Sequence, residues 1–318
     1  MKRFLTVLLC ISLLITALSG CNEKGTPKIS IATVQNSASA FLSHMIEENG
    51  EDDPYIYELG ISLLPSGARY SITQKYADIA VIPVELAAQL QKKADPKIKI
   101  LAGISVGGFE LLSTKSITDI SELKGQTIYI AEHDTLMENL LRYLVSFYGI
   151  DPYEEIKFEF TSDNYTLIEK ISNGDVSFAL FESSDAAWAK AEVENLVSYN
   201  LTDELAKKLN NPSIVNYCVV ARSDYVRDNP KAIEYLLGEI EASLNKSSNL
   251  SETLSLAKKH KLIYSDYCGA EFLKSCKADF ISGDEMKRKL TAYYKLIYKV
   301  KRSLLGNEIP SNEIYYIS

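Results

Sequence analysis

Residues 127–181 read TIYIAEHDTLMENLLRYLVSFYGIDPYEEIKFEFTSDNYTLIEKISNGDVSFALF, and their periodicity decides the fold class. Residues 127–131 form a short apolar-rich run suited to a strand. Leu136, Met137, Leu140, Leu141, Leu144, Val145 and Tyr148 then recur at helical spacing and stop at Gly149. Residues 156–160 suit a second strand. Leu167, Ile168 and Ile171 mark a second helix ended by Asn173-Gly174, and Asp175 opens a third strand over 176–181. The order is βαβαβ, which implies a parallel sheet with right-handed crossovers.

The same order occurs earlier in the chain. Residues 28–34 (KISIATV) make a strand, and a helical run through Ser39, Phe41, Leu42, Met45 and Ile46 stops at Asn49-Gly50. A strand over 55–59, a short helix from Ser66-Gly67 to Tyr76, and a strand over 79–82 opened by Asp78 complete the copy. Two such units predict an α/β protein of two lobes. Residues 97–113 join them, with Gly107-Gly108 as the bend, and an apolar run over 214–221 returns the chain to the first lobe. Two crossings make a hinge. The C-terminal third is helical: one helix opens at Asn229-Pro230 and carries Ile233, Leu236, Leu237 and Ile240, and a long Tyr-rich helix covers 284–305. The expected organisation is 28–108 for lobe 1, 109–213 for lobe 2, and 214–318 for the return and the C-terminal helices.

The N-terminus has a different character. Lys2 and Arg3 precede an apolar stretch that ends at Leu18-Ser19-Gly20-Cys21. A basic start, a short apolar core and small residues before a cut are the marks of a secretory signal, here residues 1–20. The last four residues resemble the lipobox of bacterial lipoproteins, which implies a diacylglycerol on Cys21 and a polar tether over 21–27. Two acyl chains satisfy the requirement for stable anchoring.

Composition narrows the function. The chain has 318 residues, 46% of them hydrophobic, and a net charge of −8. Loss of residues 1–20, which hold two basic and no acidic side chains, leaves it more acidic still. That balance argues against a phosphate-backbone partner, so no nucleic acid is expected. The three histidines, His44, His133 and His260, have no metal-ligand spacing, and no phosphate loop, nucleophile elbow or CxxC pair occurs. No cofactor and no metal are expected. Of five cysteines, Cys10 lies in the signal and Cys21 at the lipid site. Cys218, Cys268 and Cys276 read as buried thiols; a single helix over 268–276 would hold its two cysteines too far apart for a disulfide.

The elements in this order resemble the type II periplasmic binding proteins of the nitrate/sulfonate/taurine and thiamine-precursor group, substrate-binding components of ABC importers. Residues 76–83 (YADIAVIP), 123–131 (LKGQTIYIA), 171–182 (ISNGDVSFALFE) and 224–240 (DYVRDNPKAIEYLLGEI) carry the resemblance. It implies a two-lobed fold, a small-molecule ligand, an ABC permease as partner, a monomer, no catalysis, and an extracytoplasmic location. The chain departs from the group at Glu182-Ser183, where Glu-Pro is usual, and at His133-Asp134, where Gly-Ser or Gly-Thr is common. Both departures fall in the expected ligand site.

Ligands of open α/β sheets sit beyond the carboxyl ends of the strands. Here those ends are the loops 35–39, 60–69, 83–85, 132–135, 161–164 and 182–184. The candidate ligand residues are Gln35, Asn36, Ser37, Ser39, Arg69, Pro83, Glu85, His133, Asp134, Thr135, Glu182 and Ser183, with Tyr217 on the return. Thr135 fits a capping box with Glu138, and Ser37 and Ser39 fit helix caps. Helix N-termini favour anions, yet Glu85, Glu132, Asp134 and Glu182 crowd these loops and only Arg69 and His133 oppose them. The expected ligand is neutral or cationic, such as a pyrimidine stacked on Tyr165 or Tyr217, with a sulfonate or nitrate next. A ligand-sensing lipoprotein for a signalling receptor and an enzyme on the same fold are the alternatives.

Overall fold

The computed structural model describes residues 25–92, 97–105, 107–210, 214–263, 269–276 and 278–317. The signal, the lipidation site Cys21, and Cys10 and Cys268 lie outside them. In chain order the first elements are β1 (Lys28–Val34), α1 (Ser37–Ala40), α2 (Ser43–Glu48), β2 (Ile56–Ser62), α3 (Pro65–Thr73), β3 (Ile79–Pro83), α4 (Val84–Gln91) and β4 (Ile98–Ser105). The middle of the chain forms β5 (Phe109–Ser113), β6 (Thr127–Ala131), α5 (Leu136–Ser146), β7 (Lys157–Thr161), α6 (Asn164–Ser172), β8 (Phe178–Glu182), α7 (Ser183–Glu192), β9 (Val197–Asn200) and α8 (Leu201–Leu209). It continues with β10 (Tyr217–Arg222), α9 (Ser223–Asp228), α10 (Pro230–Lys246), α11 (Leu250–Lys259), α12 (Ala270–Lys274), β11 (Asp279–Ser282) and α13 (Gly283–Lys301).

These strands make two sheets, ordered β11-β4-β10-β3-β1-β2 and β7-β6-β8-β5-β9. In the first sheet β1 pairs in parallel with β2 and β3, and β10 runs antiparallel between β3 and β4. In the second, β6 pairs in parallel with β7 and β8, and β5 runs antiparallel between β8 and β9. Each sheet is thus a βαβαβ unit with one antiparallel strand inserted beside its third parallel strand. The central strands are apolar on both faces, as helices on both sides require: Ile79, Ala80, Val81 and Ile82 of β3 are buried, as are Phe178, Ala179, Leu180 and Phe181 of β8. Alternation splits each sheet's core in two; Ile29 and Ile31 face one side of β1 while Ala32 and Val34 face the other. Among the described residues no helix is long and apolar enough to cross a membrane.

Helix α5 illustrates how the sequence fixes an element. Thr135 accepts a hydrogen bond from the Glu138 backbone N–H at 3.2 Å, and Leu140, Leu141, Leu144 and Val145 form one buried stripe. The helix stops before Gly149, at φ +72°.

Two expectations change. The helical run over 39–46 is two short helices, α1 and α2. The Asn36 side chain caps α1 by accepting from the Ser39 backbone N–H at 3.0 Å, and the chain turns at Phe41-Leu42 before α2 starts. The loop expected over 60–69 is mostly ordered: β2 extends to Ser62, and α3 begins at Pro65, a residue suited to the first helical turn. The segment before Cys276 is helical only over Ala270–Lys274, and Cys218 and Cys276 are free, buried thiols.

The chain passes from one sheet to the other between β4 and β5 through Gly107-Gly108. Gly107 has φ +61°, and a Cβ there would stand 3.1 Å from Ser183 Cβ. A Cβ on Gly108 would overlap the Thr202 hydroxyl, which accepts a hydrogen bond from the Phe109 backbone N–H at 2.8 Å. Both positions need glycine for close approach. Helix α13 ties the sheets a third time: Met286, Leu290, Tyr293, Tyr294 and Ile297 pack on the first core, while Leu296 and Val300 reach the second.

Candidate ligand-binding site

The site follows from where three strands end. β3 runs into α4 at Val84 and β8 runs into α7 at Ser183, each without an intervening loop. β10 is antiparallel to β3, so its first residue, Tyr217, pairs with Pro83 at that strand's last position. Glu182 likewise pairs with Phe109, the first residue after the glycine crossing. The two sheets therefore bring Tyr217 and Glu182 face to face, with the Tyr217 hydroxyl 3.5 Å from Glu182 Oε2.

Around this pair the charges are all of one sign. Burial, reinforced by the charge of Glu182, pushes the Glu85 carboxyl up to about 7. Burial and the same neighbour push Asp185 up to about 7 as well. Burial also raises Glu182, against a small lowering by the Tyr217 hydroxyl. Solvent reaches Glu182, yet protein surrounds it, as on the wall of a cleft. Tyr217 itself is 6% exposed; burial raises its hydroxyl well above the ordinary range, and the three carboxylates add to the effect. Tyr293 of α13 is raised too, by burial and then by Glu85 and Glu182. Among the described residues none of the three carboxylates has a lysine, arginine or histidine at ion-pairing distance. The N-termini of α4 and α7 would draw anions, but Glu85 and Asp185 already occupy their first turns.

Hydrogen bonds fix the rim. Ser183 Oγ accepts from the Gly108 backbone N–H at 3.1 Å, and the Ser183 N–H donates to the Gly108 carbonyl at 2.9 Å. Ser275, just past α12, donates its hydroxyl to the Ser183 carbonyl at 3.0 Å, so the first lobe's C-terminal segment touches α7. Ser37 is 2% exposed and hydrogen-bonds the Cys276 thiol. Asn164 donates to Asp185 Oδ2 at 2.8 Å.

The structure brings Pro83, Glu85, Glu182, Ser183 and Tyr217 together, with Ser37 at the edge through Cys276. It engages others differently. Ser39 is fully buried, donates to the Val34 carbonyl at 2.5 Å and bonds Thr33, so its hydroxyl serves the scaffold. Asn36 is the α1 cap, and Gln35 donates to the Lys261 carbonyl at 2.9 Å. Arg69 sits in the second turn of α3, not on a loop, because Pro65 starts the helix. Asp134 pairs with Lys301 of α13 and with Asn139. His133 is 68% exposed, lies 3.3 Å from Glu138 and packs edge-on against Phe160. Thr135 is the α5 cap. Tyr165 is exposed on α6, apart from Tyr217.

Asp185 is the residue that sequence reading passed over. Its signal was available: it stands three positions after Glu182 in the first turn of a helix that follows a buried strand. Tyr293 and Cys276 carried no such signal, because only the tertiary fold brings them near Glu182.

No protein-family model matches the chain, and no curated protein sequence matches it. Solved structures do. An ABC transporter protein from Parabacteroides distasonis superposes with a TM-score of 0.75 at 18% identity, over 92% of this chain and 99% of that one. The periplasmic aliphatic sulphonate binding protein SsuA of Escherichia coli gives 0.67 at 13% identity, over 88% and 87%. The periplasmic nitrate-binding protein NrtA of Synechocystis PCC 6803 gives 0.58 at 12% identity, over 92% and 84%. The fold is the two-lobed type II periplasmic binding protein fold.

Proposed function

We propose that this chain is an extracytoplasmic solute-binding protein that captures a small ligand between its lobes and delivers it to an ABC permease. The observation that carries the reading is the meeting of Glu182 and Tyr217, each at a strand end of a different sheet, in a fold shared with sulphonate- and nitrate-binding proteins. Residues 18–21 support a lipid anchor on Cys21, which would hold the protein at the outer face of the membrane as a tethered monomer. Binding works by closure: contacts from Glu85 and Tyr217 on one side and Glu182, Ser183 and Asp185 on the other favour the closed arrangement. The carboxylates favour a neutral or cationic ligand, a pyrimidine of the thiamine-precursor kind included, over a sulfonate or nitrate. The protein's task is binding, not catalysis.

A thermal-shift screen of residues 22–318 against pyrimidines, amines, amino acids, sulfonates and nitrate tests this. A ligand at about 100 times its Kd adds roughly 2.7 kcal/mol to stability. Stabilisation by one small molecule, reduced in Glu182→Ala, is the expected result. Absence of stabilisation by every class would contradict the reading.

A further inference from the structure

We infer that the cleft is selective for an organic cation, whose positive charge is what lets Glu85 on one lobe approach Glu182 and Asp185 on the other. The inference rests on the binding reading of the same cleft and narrows it to one ligand class.

Like charges stand on both walls. Glu85 follows β3 of the first sheet, and Glu182 and Asp185 follow β8 of the second. Closure brings them nearer, and two like charges at an effective dielectric of 20 repel by about 4 kcal/mol at 4 Å. The groups facing them from the other packed elements are Tyr217 and Cys218 of β10, Tyr293 of α13, Cys276 after α12 and Asn164 of α6, none of them cationic. Tyr217 is a second and independent pointer. It is more than nine-tenths buried, and its hydroxyl aims at Glu182 across 3.5 Å, well beyond an ordinary O–H···O bond. A buried hydroxyl held at that distance leaves a hydrogen bond for a third group to complete.

The cation is organic. Among the described residues no three His, Cys, Asp or Glu side chains come close enough to hold a metal ion. An ammonium, amidinium or guanidinium group spreads its N–H donors over several angström and can reach carboxylates on both walls. The raised proton affinity of Glu85 and Asp185 agrees with this arrangement: without a cation, protons are the neutralising charge. An anion meets the same carboxylates as an unpaired repulsion, which is how a site rejects the wrong charge.

The test uses residues 22–318, which contain every strand and helix of the fold, at pH 8. Isothermal titration compares putrescine, agmatine and choline with methanesulfonate and nitrate, for the wild type and for E85Q/E182Q/D185N. The single variant E182Q serves should the triple variant fail to fold. The expected result is binding of a cation, weakened at least 100-fold in the triple variant, and no binding of either anion to the wild type. Binding of an anion to the wild type overturns the cation class and leaves the binding reading standing. A cation bound equally by wild type and variant also overturns it. Should no probe bind, small-angle scattering decides: a smaller radius of gyration in the triple variant supports charge-gated closure, and an unchanged one overturns it.

Discussion

The hydroxyl of Tyr217, first residue of β10, lies 3.5 Å from the carboxylate of Glu182, last residue of β8, and joins two sheets that share no strand. The hydroxyl adds little to the resting fold at that distance and becomes useful when a ligand completes it. Tyr217→Phe should therefore change unfolding free energy by less than about 1 kcal/mol. It should weaken ligand binding by about tenfold, the equivalent of roughly 1.4 kcal/mol. Denaturation and titration of the same variant check the two halves.

Stability should depend on pH in an unusual direction. A carboxyl raised in the folded state binds its proton more tightly folded than unfolded. Its contribution is full below the unfolded value, about 4, and is lost as the pH rises through the folded value. With Glu85 and Asp185 at about 7, the free protein should lose on the order of 2–3 kcal/mol between pH 4 and pH 8. Asp134, held low by Lys301, and Glu204, held low by Tyr148, act oppositely, and their contribution is lost only as the pH falls through the lower carboxylate range. Melting temperature measured from pH 4 to 8 should fall in the wild type and stay nearly level in Glu85→Gln/Asp185→Asn.

Gly108→Ala should be costly. The new methyl meets the Thr202 hydroxyl, and Thr202 cannot swing away without abandoning the Phe109 N–H. Overpacking of this kind costs about 1–3 kcal/mol. The double variant with Thr202→Ala should recover part of that loss, because the clash goes with the hydroxyl. Chemical denaturation of the two single variants and the double variant measures the coupling.

Asp134 has φ +66° and is held by Lys301, Asn139 and the capped start of α5. Its pair with Lys301 links α5 to α13 at a partly exposed position. Asp134→Asn should cost about 0.5–1 kcal/mol at low salt and less at 1 M salt, and leave ligand affinity within about threefold. Titration of this variant beside Glu182→Gln separates residues that hold the lobes from residues that hold the ligand.

The strands were legible because their signal is local. β1 over Lys28–Val34 and β6 over Thr127–Ala131 are the runs that period and turn residues mark out in the sequence. The break between α1 and α2 was not legible, because the apolar spacing continues through Phe41-Leu42 and the turn is set by the Asn36 cap. Arg69 was misplaced on a loop although Pro65 announced a helix. In the candidate site Glu85, Glu182 and Tyr217 were visible as residues at strand ends. The partner of Asp134 was not, since Lys301 lies 167 positions away and only the packing of α13 on α5 brings it there.

The most direct test of the account is the stabilisation of residues 22–318 by small molecules, measured in parallel for the wild type and Glu182→Ala. The account predicts a ligand that raises the melting temperature of the wild type and does so far less in the variant. A ligand that stabilises both proteins equally would place binding elsewhere and contradict the interlobe site.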